Sequence, residues 1–373
     1  MVLTTIFNHN AHLLMLYMVI IMTIALLGVS NQFKRNSSRG LKLRQTIFLA
    51  FLLAMFPIQS GDFVYSTLIL QKGHNFQHLE LFYQGLWLLC RDVVIWRLVV
   101  FGGAILILSC TIQLLHVNHR FASFIFVITE MFMFGAMRNT FGLMLMFFSI
   151  ALIFSPGNFK KKTFFILLAG LGLFGCTFLH KSMWLYVSLL PFALIPFGKR
   201  AVKWSLVVFP FIYSSIFICT QWFLSTFADA ETQQHASYYT DSEMATTMVK
   251  TINDIIKQIC YIYLMSIAIK RLLNDQNKSP LIFKFLMRYS FILVYIGFLF
   301  YGQTTAGWLY SRFVGAGEMT FMFVMMYFFY IYPRKKGVKL AFAGLIYYII
   351  YQILYVTTYA SGHYIERFNS ITM

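Results

Sequence analysis

Apolar runs of about the length that a bilayer requires dominate the sequence, and they constrain its fold more than any other feature. At ~1.5 Å of rise per residue, a helix of about 20 residues crosses the hydrocarbon core of a membrane. Only 11% of the residues are charged, whereas an ordinary soluble domain carries about a quarter. We therefore predict an all-α, polytopic integral membrane protein. It should have about twelve transmembrane helices, at about 11–30, 43–58, 93–115, 120–137, 139–156, 163–180, 182–197, 204–222, 254–272, 285–301, 309–332 and 338–358.

The positions of the basic residues indicate the orientation of these helices. Lysine and arginine cluster in alternate connections between the runs, as they do in cytoplasmic loops of membrane proteins. We predict that both termini are extracytoplasmic and that 59–92 and 223–253 are extracytoplasmic loops, the first of them partly helical. Both loops belong to one predicted membrane-embedded domain over 1–373. The clusters lie around Arg39, Arg120, Lys161, Arg200, Lys278 and Lys335.

The net charge of +18 does not indicate nucleic-acid binding, because the basic residues form short clusters between apolar runs and no continuous basic face. The five cysteines are scattered, without a CxxC pair or a Cys/His metal spacing. The sequence contains no P-loop, nucleophile elbow, zinc-protease motif or dinucleotide-binding motif. We therefore predict no metal and no cofactor, and we expect any enzymatic activity to use a donor that is already activated and lipid-linked.

The stretch 134–184 is the most informative part of the chain. Two apolar runs, 139–154 and 163–179, flank a basic turn with lysines at 160–162. Each run is about long enough to cross a bilayer core. If the stretch folds as a helical hairpin, the second run retraces the first. Residues before the first run and after the second then meet at one membrane face, opposite the lysine turn.

Arg138, His180 and Lys181 would meet at that face. Such a group is costly at a membrane end unless it has an anionic partner or bulk water. One interpretation is a site for a lipid-linked phosphate, because arginine matches phosphate oxygens bidentately and lysine supplies a point charge. The alternative is that the cations snorkel to the interface and that the histidine is a satisfied interfacial group. In the first case His180 is also a candidate for proton transfer or phosphate contact.

Other candidate residues lie at the same predicted face. Arg97 and Arg312 occupy outer ends of apolar runs, against the usual placement of positive charge inside. The first outer loop contributes Asp62 and Glu80, each a candidate base toward a sugar hydroxyl or a partner for an arginine. Tyr65, one helical turn after Asp62, is one of several outer aromatics that could stack on sugar rings. An interfacial aromatic belt explains these aromatics equally well.

The segments MRNTFGLMLMFFSIAL, KKK and TFLHKSMW together resemble the signature of the EpsG/Wzy-like polysaccharide polymerases, iRqg-a…kkk…fHksal, in two adjacent membrane helices. Two further segments agree more weakly. GDFVYSTLIL followed by HLELFYQGLWLL resembles the family's early D-x-x-Y loop, and LYSRFVGAGEMTFMF resembles its late R-x-x-x-y-f helix start. The chain departs from the pattern at Asn139, Thr140 and Met183, where the family has glutamine, glycine and a small residue.

The resemblance implies functional roles for particular residues of this chain. Catalytic roles fall to His180, Asp62 and Arg138, and binding of pyrophosphate or glycan falls to Arg138, Lys181, Arg312 and Tyr65. The positions of Arg97 and Glu80 add these two residues to the candidate binding set.

The activity that the resemblance implies is polymerisation of O-antigen, capsule or exopolysaccharide at the outer face of the bacterial cytoplasmic membrane. The polymerase transfers the growing chain from undecaprenyl pyrophosphate to the non-reducing end of a new lipid-linked repeat unit. The implied partners are this lipid-linked oligosaccharide, membrane lipid and a chain-length regulator protein. Two alternatives stay open: a flippase or transporter of lipid-linked oligosaccharides, and a polysaccharide ligase. A transporter favours inverted repeats and charges near the bilayer midplane, and we find neither pattern in the sequence.

Overall fold

The described part of the protein consists of α-helices and the short connections between them. A computed structural model describes residues 80–91, 93–115, 137–227, 248–273, 279–301 and 307–331, together with 343–344 and 347. Within these ranges there is no β-strand. The predicted spans at 11–30, 43–58, 120–137 and 338–358 fall largely outside the described residues.

These residues form nine α-helices, which cover each of the other eight predicted runs and add one helix in the first outer loop. The all-α class is thus confirmed for the described part of the chain. In order, the helices are α1 (Leu81–Cys90), α2 (Val93–Leu114), α3 (Met137–Phe154), α4 (Phe159–Leu179), α5 (Met183–Leu194), α6 (Lys199–Phe227), α7 (Met248–Leu272), α8 (Leu281–Leu299) and α9 (Gly307–Ile331).

The helices divide into two compact units, with the boundary between Val187 and Ser188 inside α5. The first unit contains α1 to α4 and the start of α5. The second contains the remainder of α5 and α6 to α9. The single membrane-embedded domain over 1–373 stays a prediction.

The central helix of the first unit is α3. From Thr140 to Leu152 its residues are buried, with only Leu145 and Phe148 half-buried. It packs against α2 and against α4, and a helix that is apolar on every face is expected in such a central position. Its neighbour α2 contributes a buried stripe at intervals of four residues, formed by Trp96, Val100, Ala104, Leu108 and Ile112.

Small residues bring the elements of the first unit close together. A Cβ atom at Gly172 of α4 would overlap the hydroxyl group of Ser149 of α3. A Cβ atom at Gly142 of α3 would lie 2.8 Å from Cγ and Sδ of Met183, at the start of α5. Each glycine therefore admits a neighbouring side chain that alanine would displace.

The connection between α3 and α4 differs from the predicted basic turn. The three lysines are not in the turn but in the first turn of α4, because lysine forms helices readily and Asn158 supplies an N-cap. The Asn158 side chain accepts a hydrogen bond from the Lys161 amide at 3.1 Å. Lys162 Nζ donates to the carbonyl oxygens of Ile153 and Ser155. Lys162 thus caps the C-terminus of α3, where a cation is favourable.

In the second unit, α8 and α9 form an antiparallel pair with the most extensive packing in the described structure. A Cβ atom at Gly297 would lie 2.7 Å from Val314 Cγ2, and a Cβ atom at Gly317 would lie 3.1 Å from the backbone nitrogen of Val294. Ser290 Oγ donates a hydrogen bond to the Gly317 carbonyl oxygen at 2.8 Å. Paired glycines and interhelical hydrogen bonds from hydroxyl groups allow membrane helices to pack closely.

Three of the described helical segments are long and apolar enough to cross a membrane: Phe159–Leu179, Lys199–Cys219 and Leu281–Leu299. Large apolar side chains project from the first two, including Leu171 at 69% and Phe211 at 73% exposure. Such surfaces are typical of helices in contact with lipid and indicate membrane association. The count of twelve spans and the placement of the termini stay predictions.

Candidate functional site

The HKS segment forms the connection between α4 and α5. His180 ends α4 with an extended backbone (φ −161°, ψ 136°), and its carbonyl oxygen accepts a hydrogen bond from the Met183 amide at 2.9 Å. This turn separates two neighbouring side chains. His180 is only 5% exposed, whereas Lys181 is exposed. The histidine therefore belongs to the interior, and the lysine is the residue that a ligand can reach.

A hydrogen-bond network holds the imidazole of His180. The Ser182 amide donates to Nδ1 at 3.1 Å, and Ser182 Oγ lies 2.6 Å from the same atom. Ser182 Oγ also bonds Asn139 Oδ1 at 3.0 Å. Asn139 lies in the first turn of α3, so this contact joins the beginning of the hairpin to the residues that follow it.

Arg138 immediately precedes Asn139 in α3. The Asn139–Ser182 bond therefore places the Arg138 backbone at the same end of the hairpin as His180 and Lys181. The Arg138 side chain lies outside the described residues. We call this end of the hairpin, with Arg138, Asn139 and the segment from His180 to Ser182, the open end.

The start of α1 also lies at the open end. Glu80 is half-buried at the N-cap position of α1. Two residues later, the ring of Phe82 lies 5.9 Å from the ring of Phe141 in the first turns of α3. Glu80, the predicted carboxylate, thus lies two residues before Phe82, whose ring packs on α3 near the open end.

Aromatic packing attaches α2 to the same end. Tyr83 is fully buried, and its ring lies 5.8 Å from that of Trp96. Arg97 follows Trp96 in the first turns of α2, and its side chain lies outside the described residues. Trp96 Nε1 is the one buried side-chain nitrogen or oxygen without a hydrogen-bond partner among the described residues. Ring contacts, rather than hydrogen bonds, therefore hold the Trp96 side chain in place.

Arg312 belongs to the second unit, where it is half-buried on α9. The same helix carries Glu318, which is 3% exposed and forms an ion pair with Lys257 of α7 at 2.7 Å. Gln258 Nε2 donates to the other carboxylate oxygen at 3.2 Å. The ion pair that the structure shows for Lys257 therefore joins two helices, α7 and α9.

The two candidates from the first outer loop, Asp62 and Tyr65, lie outside the described residues. Sequence reasoning did not select Asn139 and Ser182 as site residues, although both lie inside the segments that carry the family resemblance. Asn139 was noted only as a departure from the family pattern. The signal that could have identified them is that both are polar and flank an otherwise apolar hairpin, Asn139 at its beginning and Ser182 just after its end.

No group of three or more His, Cys, Asp or Glu residues that could hold a metal ion occurs in the described ranges.

The comparisons with known proteins do not assign the chain to a family. No protein-family model matches the sequence, and no curated protein or solved structure is similar to it.

Proposed function

We propose that the protein is a membrane glycosyltransferase that polymerises oligosaccharide repeat units carried on undecaprenyl pyrophosphate. It acts at the outer face of the bacterial cytoplasmic membrane, with twelve transmembrane helices and both termini on the outer side. The observation that supports this proposal best is the open end of the hairpin. There, exposed Lys181 adjoins a buried polar network that ties it to the helix turn of Arg138.

The chemistry requires cations at such a place. A hydroxyl group at the non-reducing end of the acceptor attacks the anomeric carbon of the donor chain, and the bond from that carbon to the pyrophosphate oxygen breaks. The hydroxyl proton passes to a base, and undecaprenyl pyrophosphate leaves with an added negative charge. Lys181 and Arg138 are the proposed groups that stabilise this charge as it develops. Arg312 and Arg97 are further proposed contacts with pyrophosphate or glycan.

The base is proposed to be a carboxylate of the first outer loop. Asp62 and Glu80 are the two candidates, and Tyr65 is a proposed glycan contact. Glu80 is the candidate with described geometry, because it begins the helix whose Phe82 ring packs on α3 near the open end. The lipid-linked donor is already activated, so the proposed reaction draws on no nucleotide.

Purified protein in liposomes, supplied with lipid-linked repeat units, tests the proposal. Ladders of glycan products that grow by one repeat unit are the expected result. Movement of repeat units across the vesicle without new glycosidic bonds would identify a flippase and refute the proposal. Transfer of finished polymer to a different acceptor, without ladders, would identify a ligase.

A charge substitution locates the site within that assay. Lys181→Ala should lower the rate of chain extension about 10- to 100-fold, because a hydrogen bond to a charged group contributes roughly 1.5–3 kcal/mol. The matched control is Lys160→Ala, which removes an exposed lysine at the other end of α4 and should retain the parental rate. Equal rates for the two variants would show that the open end is not the site.

A further inference from the structure

We propose that His180 is a positioning residue and not the proton-transfer group that its place in the motif suggests. Its Nδ1 atom holds the turn that leads into α5, and through Ser182 it holds Asn139 of α3. This arrangement fixes the spacing between the backbones of Lys181 and Arg138. The inference relies on the proposed function only where polymer synthesis is the readout.

The contacts of Nδ1 determine which ring nitrogen of His180 carries the proton. The Ser182 amide is a permanent donor and lies 3.1 Å from Nδ1. Nδ1 must therefore present its lone pair, which places the proton of the neutral imidazole on Nε2. A proton on Nδ1 would face the amide proton and break the bond, so Nδ1 does not pick up and release protons in this arrangement.

The single hydroxyl proton of Ser182 can serve only one of its two close neighbours. Its oxygen lies 2.6 Å from Nδ1 and 3.0 Å from the side-chain amide of Asn139. Because Nδ1 is an acceptor, the hydroxyl donates to it, since two lone pairs at that distance would repel each other. In the structure Asn139 Oδ1 accepts this hydroxyl proton. With the hydroxyl proton directed to Nδ1 instead, the Asn139 amide must present its NH₂ group to the serine oxygen, which an exchange of its oxygen and nitrogen provides. Each hydrogen serves one bond, and the network runs from α3 to the turn before α5.

Both ends of this network adjoin cationic residues, Lys181 and Arg138. His180 is buried and Lys181 is exposed, because the extended backbone at His180 turns consecutive side chains in different directions. Arg138 is bonded covalently to Asn139, at the other end of the network. Residues from two separate helices are thus locked in register by His180 and Ser182. Two cations whose backbones are held at a fixed spacing stabilise a pyrophosphate better than two cations on mobile segments, because less ordering is required during the reaction.

Two substitutions separate a role of Nδ1 from a role of Nε2. In His180→Asn the side-chain oxygen occupies roughly the place of Nδ1, and in His180→Gln the side-chain nitrogen occupies roughly the place of Nε2. We expect chain extension by His180→Asn to exceed that by His180→Gln about tenfold or more, with His180→Ala as slow as the glutamine variant. The reverse order would overturn the proposal and return His180 to direct substrate contact. Equal rates for asparagine and glutamine would also overturn it.

A spectroscopic readout does not depend on the reaction. In protein labelled with ¹⁵N-histidine, the signal of His180 can be assigned by its shift in Ser182→Ala, and by its loss in whichever His180 variant folds. The expected ring is neutral, with its proton on Nε2 and Nδ1 unprotonated. A proton on Nδ1 would overturn the proposal even if the enzyme polymerises. The expected tautomer without any polymer synthesis would instead leave the positioning geometry intact and count against the proposed function.

Discussion

The ion pair between Lys257 and Glu318 should dominate the stability of the contact between α7 and α9. Glu318 is 3% exposed, and the Lys257 side chain is 18% exposed. Removing one partner leaves a buried charge without its counter-charge, which typically costs about 3–5 kcal/mol. Replacing both residues by uncharged side chains of similar length leaves no unpaired charge. Such a replacement of a whole buried ion pair often leaves the free energy of unfolding unchanged.

The two single substitutions should differ in size. Lys257→Met leaves the more deeply buried carboxylate with only the Gln258 amide as a described partner, so we expect a loss of about 3 kcal/mol or more. Glu318→Gln leaves an ammonium that lies 5.7 Å from the Tyr261 ring centroid and is partly exposed, so we expect about 2 kcal/mol. The double variant should lie within about 1 kcal/mol of the parent, which corresponds to a coupling of about 4 kcal/mol.

The measurement is the free energy of unfolding of the four proteins in detergent micelles, from loss of helical circular dichroism on titration with a denaturing detergent. A single loss of 3 kcal/mol is more than about 100-fold in the unfolding equilibrium constant, and so is well resolved. If the two single losses simply add in the double variant, the pair does not act as a unit and the reasoning fails. The same conclusion follows if Glu318→Gln is the more damaging change.

Three further predictions concern tight contacts and one helix cap, and the same unfolding measurement checks each. Gly317→Ala should lower the free energy of unfolding by about 1–3 kcal/mol because the new methyl group meets the backbone of α8. The control Gly170→Ala, with nothing within 4 Å of the new atom, should be neutral or slightly stabilising, and equal effects of the two changes would refute this prediction. Gly142→Ala should cost less than Gly317→Ala because the flexible Met183 side chain can move. In a Met183→Ala background, which is itself less stable because Met183 is buried, Gly142→Ala should cost nothing further; an unchanged cost there would exclude the proposed clash. Asn158→Ala should cost about 1 kcal/mol through loss of the N-cap of α4, and Asn158→Asp should retain the parental stability; a loss in the aspartate variant as large as in alanine would argue against the cap.

The helices could be predicted from the sequence because apolar runs of this length have few alternatives to helix in a membrane. The predicted runs at 93–115 and 163–180 correspond to α2 and α4. The predicted starts were late by four or more residues for four helices, since α4, α6, α7 and α8 begin at Phe159, Lys199, Met248 and Leu281. Each of these helices has at least one basic residue among its first four, and such residues lower hydropathy but favour helix. Hydropathy therefore reports where a helix enters the apolar region, not where it begins.

The site could be predicted from the sequence only in part. The hairpin geometry follows from two apolar runs joined by a short turn, so the meeting of the Arg138 turn with His180 was predictable. The burial of His180 beside an exposed Lys181 was not, because it depends on one extended backbone angle at the end of α4. The partner of Lys257 was not predictable either. It lies 61 positions away in sequence, Lys257 to Glu318, and no local spacing rule indicates it.

The burial of α3 on every side has a consequence for how this helix is aligned. An amphipathic helix is oriented by the contrast between its two faces, but α3 has no such contrast and could rotate about its axis without a change in hydrophobic burial. Beyond the Asn139–Ser182 hydrogen bond in its first turn, its rotation must instead be encoded by shape: the Ser149 hydroxyl against Gly172, and the missing side chain of Gly142 beneath Met183. Mutational sensitivity along α3 after Asn139 should therefore follow side-chain volume rather than polarity. Evolution at these positions would be constrained in size even where many apolar residues satisfy the membrane.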